Sequence, residues 1–134
     1  MLSEACEQLP PGRCLLFAYG QLQPGYRPPR TVHRAWQDRV RGELFDLGAY
    51  PAAVKVGMTE SWICGCVMEI DESELRAELD VYEEVGRGLY RRVRTTTEAG
   101  FTVWIYEYAP PIPPHARGPI ERWHGGRRGE RVRG

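Results

Sequence analysis

The sequence has no net charge. Eighteen basic and eighteen acidic residues cancel over 134 positions, so no global field draws the chain toward nucleic acid or a membrane surface. It has no apolar run of membrane-spanning length, and its first residues, Met-Leu-Ser-Glu-Ala-Cys-Glu, lack the cationic start and apolar stretch of a secretory signal. A soluble, cytoplasmic protein with no membrane partner is the expectation. Metal-ligand spacing is also missing. The four cysteines (Cys6, Cys14, Cys64, Cys66) and three histidines (His33, His115, His124) are scattered, which favours free buried thiols over a metal site. Cys64 and Cys66, two apart in a strand-like run, should face one side together. Internal repeats are absent.

What is present suits one domain. With 42% hydrophobic residues, a chain of this length can bury a single respectable core. Alternating apolar residues with β-branched or aromatic enrichment predict strands over residues 14–19, 40–46, 52–56, 62–70, 90–96 and 101–109. One stretch is helical in pattern: Asp71 is placed to cap, Glu74 follows three residues on, and Leu75, Leu79 and Tyr82 recur at helical spacing before Gly86 and Gly88 end it. Residues 23–34 are rich in proline, glycine and arginine and predict an irregular loop, a lid or pocket wall. The run from Pro110 to Pro114 stops the last strand. Beyond it six arginines against two glutamates leave a basic, Arg/Gly-rich segment with a local charge of +4, expected to be a flexible tail. The expected organisation is an N-terminal extension (1–12), a domain (13–109) and a tail (110–134). Strands with one helix and short connections predict an α+β fold whose sheet curls into a small barrel. RGG-like segments can bind RNA, but the glutamates dilute this one, and a nucleic-acid partner is not expected.

Two places carry chemistry. Phe17-Ala18-Tyr19-Gly20-Gln21-Leu22 is an apolar run breaking into a Tyr-Gly turn, and such a turn gathers backbone N–H groups able to cradle a carboxylate or an oxyanion. The helix ends in Glu83 and Glu84. Adjacent carboxylates at a helix C-terminus face each other and the negative end of the dipole, which favours the protonated form and makes a candidate general acid or base; the plain alternative is a solvated surface pair. Tyr50 and Pro51 either line the pocket or form a turn. Trp62, Trp104 and Tyr106 belong to core or wall. Arg91, Arg92 and Arg94 form a strand face, and His33 sits in the lid loop.

The segment Phe17 to Leu22 resembles the YGSL signature of the γ-glutamylcyclotransferase-like family, which includes the AIG2-like proteins. Arg41 to Ala52 looks like that family's G-x-L-[YF]-D-L-G-x-Y-P segment. Gly65 to Asp71 followed by Leu79-Asp80-Val81-Tyr82-Glu83 looks like its central block. Tyr90-Arg91-Arg92 looks like its Y-x-R, and Val103 to Tyr108 like its closing aromatic strand. The resemblance covers residues 14–109. It implies a small mixed β-barrel with one main helix and short helices, and Glu83 as the catalytic acid/base. It implies substrate binding by Tyr19, Gly20, Gln21, Leu22 and Tyr90, with Tyr50 and Pro51 as pocket wall and Arg92 pairing either an acidic neighbour or a substrate carboxylate. The implied reaction closes a γ-glutamyl conjugate to 5-oxoproline and releases the free amine, without cofactor or metal, so that the implied partner is a small γ-glutamyl substrate. The alternative is a barrel of the same fold that binds a metabolite or protein without turnover. Gln21 stands where the family usually has serine, and Glu84 where many relatives have glycine.

Overall fold

The longest uninterrupted apolar stretch near the start of the chain, Cys14 to Tyr19, is buried on both faces, which is what a run without polar alternation demands. The computed structural model describes residues 9–125 and puts this stretch, β1 (Arg13–Ala18), at the centre of a five-stranded sheet. The other elements follow as β2 (Arg34–Arg41), β3 (Glu43–Asp46), β4 (Pro51–Val54), β5 (Trp62–Asp71), a helical segment α1 (72–82), β6 (Tyr90–Thr96), β7 (Thr102–Tyr108) and β8 (Arg117–Ile120). Strand order in the large sheet is β2-β5-β1-β7-β6, and a second sheet has the order β4-β3-β8. Only the β1–β7 pair is parallel, at Leu16 and Trp104, so the large sheet is mixed. Cys14, Leu16 and Ala18 face Leu75 and Leu79 of α1, while Leu15, Phe17 and Tyr19 face Val40, Leu44, Ala53 and Trp123. Two apolar clusters thus sit on either side of one strand.

The fold class is α+β, as expected, but the sheets do not close into a barrel. The large sheet ends at β2 and β6, and the chain leaves it at Gly42 to start the second sheet. The predicted strand over 40–46 is therefore two strands meeting at a corner. A side chain at Gly42 would bring its Cβ within 2.8 Å of Ile63 Cδ1, so glycine lets the corner pack tightly. β2 also begins well before residue 40, where Arg34, Gln37, Asp38 and Arg39 give no apolar alternation to read. Antiparallel register with β5, from Arg34 opposite Glu69 to Arg41 opposite Trp62, defines it instead. Arg39 and Arg41 also lie over the Trp62 ring, at 4.2 and 3.7 Å.

The expected tail is corrected as well. Through Gly125 the chain is part of the domain: β8 pairs with β3, the Glu121 carbonyl accepts the Cys64 N–H at 2.7 Å, and Trp123 is 3% exposed. The proline run does end β7, but four residues then rejoin a sheet. The Arg/Gly stretch 126–134 and the extension 1–8, with Cys6, lie outside the described residues. Cys14 and Cys66 are buried and Cys64 is half-buried, all three as free thiols. Among the described residues no helix is long and apolar enough to cross a membrane.

The helix start differs from its sequence reading in an instructive way. Asp71 makes no side-chain cap; its carboxylate instead meets His33 Nε2 at 2.8 Å. The Asp71 N–H donates to the Thr31 hydroxyl at 3.0 Å, so the 23–34 loop supplies the acceptor that Glu74 would have provided in a capping box. Glu74, the expected partner in a capping box, is buried and accepts the Arg30 N–H (2.7 Å), the Thr31 N–H (3.0 Å) and the Thr31 hydroxyl (2.6 Å). Burial alone would raise its pKa, but these donors outweigh it and hold the carboxyl below its ordinary value. A π-helical stretch, Leu75–Leu79, follows and keeps both leucines against the sheet.

Candidate active site

β1 ends at Ala18, and the turn after it is tied by its own carbonyls. The Gln23 N–H and Nε2 donate to the Gly20 carbonyl at 3.0 and 3.1 Å, and the Arg27 N–H to the Gln21 carbonyl at 2.6 Å. No turn or loop hydrogen bond among the described residues draws on the N–H groups of Gly20, Gln21 or Leu22. A Cβ on Gly20 would lie 2.8 Å from Pro51 Cγ, so glycine is what allows the turn to press against the β4 strand. The turn borders a cavity of about 530 Å³ whose other walls are Tyr50 and Pro51, the α1 end at Tyr82 to Glu84, Leu89 and Tyr90, Tyr106, and the stretch Trp123 to Gly125.

Glu83 follows the last helical residue, Tyr82, as the C-cap and is partly buried on the cavity wall. Loss of water around it, then the charge of Glu84, push its pKa up from 4.5 to about 7. No hydrogen bond among the described residues holds its carboxyl. Glu84 has φ 57°, a left-handed conformation that costs a residue with a Cβ roughly 1 kcal/mol. This explains why glycine suits that position. Glu84→Gly should stabilise the fold by about 1 kcal/mol, and by removing the like charge it should lower the pKa of Glu83. Thermal unfolding and an NMR titration of the Glu83 carboxyl check the two halves separately.

Of the residues expected at the site, Tyr19, Gly20, Gln21, Leu22, Tyr50, Pro51, Glu83 and Tyr90 border this one cavity. Arg92 does not. Asp80 already grips its guanidinium through two contacts, 2.8 and 3.1 Å, with Trp104 beneath at 4.3 Å, so of its two expected partners it has the acidic neighbour. The same Asp80 accepts the Tyr106 hydroxyl at 2.6 Å. His33 is likewise outside the cavity. Tyr19 and Tyr90 are locked rather than free: the first donates to the Tyr106 carbonyl and the second to the Pro51 carbonyl at 2.6 Å. Burial, then nearby negative charge, drives both phenols well above their ordinary range, so both stay protonated and keep those hydrogen bonds.

Gln21 has a task that a serine is too short to perform. Its Oε1 accepts the Tyr82 hydroxyl at 2.6 Å and its Nε2 donates to the Ala49 carbonyl at 3.3 Å, clasping the helix end to the loop before β4. Sequence reasoning missed Tyr26, Arg27, Trp123 and His124 as lining residues and took Tyr82 for a packing position. Trp123 meets the Tyr26 ring at 5.6 Å and reaches Asp46 Oδ1 through Nε1 at 3.3 Å. A tryptophan isolated in an arginine-rich stretch was the available signal.

A search of curated proteins finds no match to the chain. Among solved structures, an AIG2-like protein from Mus musculus has a TM-score of 0.71 at 17% identity, the alignment covering 87% of this chain and 92% of that one. An uncharacterised protein from Pyrococcus horikoshii has a TM-score of 0.55 at 21% identity, covering 81% and 86%. YkqA from Bacillus subtilis has a TM-score of 0.53 at 26% identity, covering 72% of this chain and 36% of that one. At the identities of the first two, the likeness is one of fold. The model of the family described as gamma-glutamyl cyclotransferase, AIG2-like, matches residues 16–125. That span takes in β2, β8 and Trp123 together with the Tyr-Gly turn and Glu83, and the chain belongs to this family.

Proposed function

We propose that the chain converts a γ-glutamyl amide to 5-oxoproline and the free amine, with Glu83 as general acid/base. The observation that carries this reading is that Glu83 and the Tyr19-to-Leu22 turn border one cavity. In a γ-glutamyl substrate the nucleophile, the electrophile and the leaving group are all present. The α-amine nitrogen attacks the γ-carbonyl carbon, a C–N bond closes the five-membered lactam, and the original amide C–N bond breaks. Glu83 takes a proton from the α-ammonium, the nitrogen gives up a second as the lactam forms, and both end on the departing amine, which leaves as its ammonium, so no atom is gained or lost overall. A carboxyl with a pKa of about 7 is suited to both directions of transfer near neutral pH. The N–H groups of Gly20, Gln21 and Leu22 hold the substrate's α-carboxylate or the oxyanion, and the locked tyrosines orient it.

The test is release of 5-oxoproline from a panel of γ-glutamyl amino acids, γ-glutamyl amines and glutathione. Turnover of at least one class is expected, with kcat/KM rising as pH increases through about 7, because the base must start deprotonated. A folded chain that binds a γ-glutamyl compound yet releases no 5-oxoproline from any of them would favour a purely binding role for the same cavity.

A further inference from the structure

Ring closure takes place against the turn and Glu83, so whatever the amine carries must point toward the cavity opening. Exposed wall residues mark that opening, among them Tyr26 at 44% and Tyr82 at 42%, with Arg27 and Glu84 also exposed. Arg27 is held there by two contacts. Its N–H bonds the Gln21 carbonyl at 2.6 Å, and its guanidinium lies 5.8 Å from the centre of the Tyr82 ring, next to the residue that carries the chemistry. Arg39, Arg91 and Arg92 each hold a carboxylate. Arg27 forms no such pair among the described residues, and it is the one arginine bordering the cavity.

Resting on the cyclotransferase reading, we infer that Arg27 binds a carboxylate on the leaving amine, so that the preferred substrates are γ-glutamyl conjugates of amino acids rather than of simple amines. A guanidinium presents its donors in a planar fork that matches a carboxylate, and the Tyr82 ring beside it keeps that fork at the cavity. The glutamyl part does not compete for it, because its own carboxylate or oxyanion is served by the turn N–H groups. Glu84 lines the same cavity and carries the other sign of charge, so of these two exposed charged groups only Arg27 attracts an anion.

The experiment compares γ-glutamylalanine with γ-glutamylalaninamide, which differ only in that carboxylate. It uses the wild-type chain, Arg27→Gln and Arg27→Lys, and reads both 5-oxoproline release and equilibrium binding. In the wild type the free carboxylate should be preferred by about tenfold in kcat/KM, mainly through KM because the group is remote from the reacting atoms. In Arg27→Gln the ratio should fall to about one, in Arg27→Lys it should be partly kept, and salt should erode it. Equal use or equal binding of the two compounds by the wild type, or a preference that survives in Arg27→Gln, overturns the inference. If neither compound releases 5-oxoproline while binding keeps its Arg27-dependent carboxylate preference, the catalytic reading fails and the assignment of Arg27 stands.

Discussion

Glu83→Gln is expected to reduce 5-oxoproline release by about 10³-fold and, at pH 8, to make the folded chain more stable. The two effects share one cause. In the folded chain the Glu83 carboxyl titrates at about 7 against an ordinary 4.5, so between those values the native state holds the extra proton. Stability therefore falls as pH rises through that window, by at most about 3.5 kcal/mol at about 1.4 kcal/mol per unit. Because the residue is partly open to water, about 1–2 kcal/mol is the expected share. Glutamine carries no charge and escapes this loss. Denaturant unfolding should show the variant ahead of the wild type at pH 8 and level with it at pH 4. A variant less stable at pH 8, or one keeping a tenth of the activity, would remove Glu83 from the role assigned here.

Asp80→Ala is expected to cost about 3 kcal/mol, because it strands a largely buried guanidinium and the Tyr106 hydroxyl at once. The comparison that isolates the cause is the double variant with Arg92→Met. If the stranded charge is the main loss, the second change should recover part of the stability, as read by urea midpoints at constant slope. If the double variant is less stable than Asp80→Ala alone, the Asp80–Arg92 pair is not what holds this region. Activity offers a second readout. Tyr106 borders the cavity and its carbonyl anchors Tyr19, so Asp80→Ala should raise KM even under conditions where it remains folded.

Legibility in the sequence followed burial. β1 was plain because an unbroken apolar run has one sensible place, the middle of a sheet. The place of Glu83 on the cavity wall was signalled by the resemblance rather than by the residues themselves, since two carboxylates at a helix end read equally as a solvated surface pair. β2 was not plain, since Arg34, Asp38 and Arg39 owe their strand to pairing with β5 and to the Trp62 ring, neither of which is local. The capping box was misread for a related reason: Glu74 has the right spacing for a local cap, but the loop's Thr31 outbids it. β8 and Trp123 were hidden by their company of prolines and arginines, and Arg27 by a loop whose path composition does not dictate. Residues whose role is set by partners far along the chain are those the sequence conceals.

Trp123 also fixes an order of events. The turn at Gly20 and the wall at Trp123 are separated by about a hundred residues, yet both border the same cavity. A chain emerging from synthesis can lay down β1 and pair it with β5 long before that wall exists. The pocket is enclosed only when β8 has docked on β3, a non-local contact that forms late because its loop-closure cost comes first. Until then the cavity that Glu83 borders lacks one of its walls. The site proposed for proton transfer is thus completed last, with the docking of the final strand.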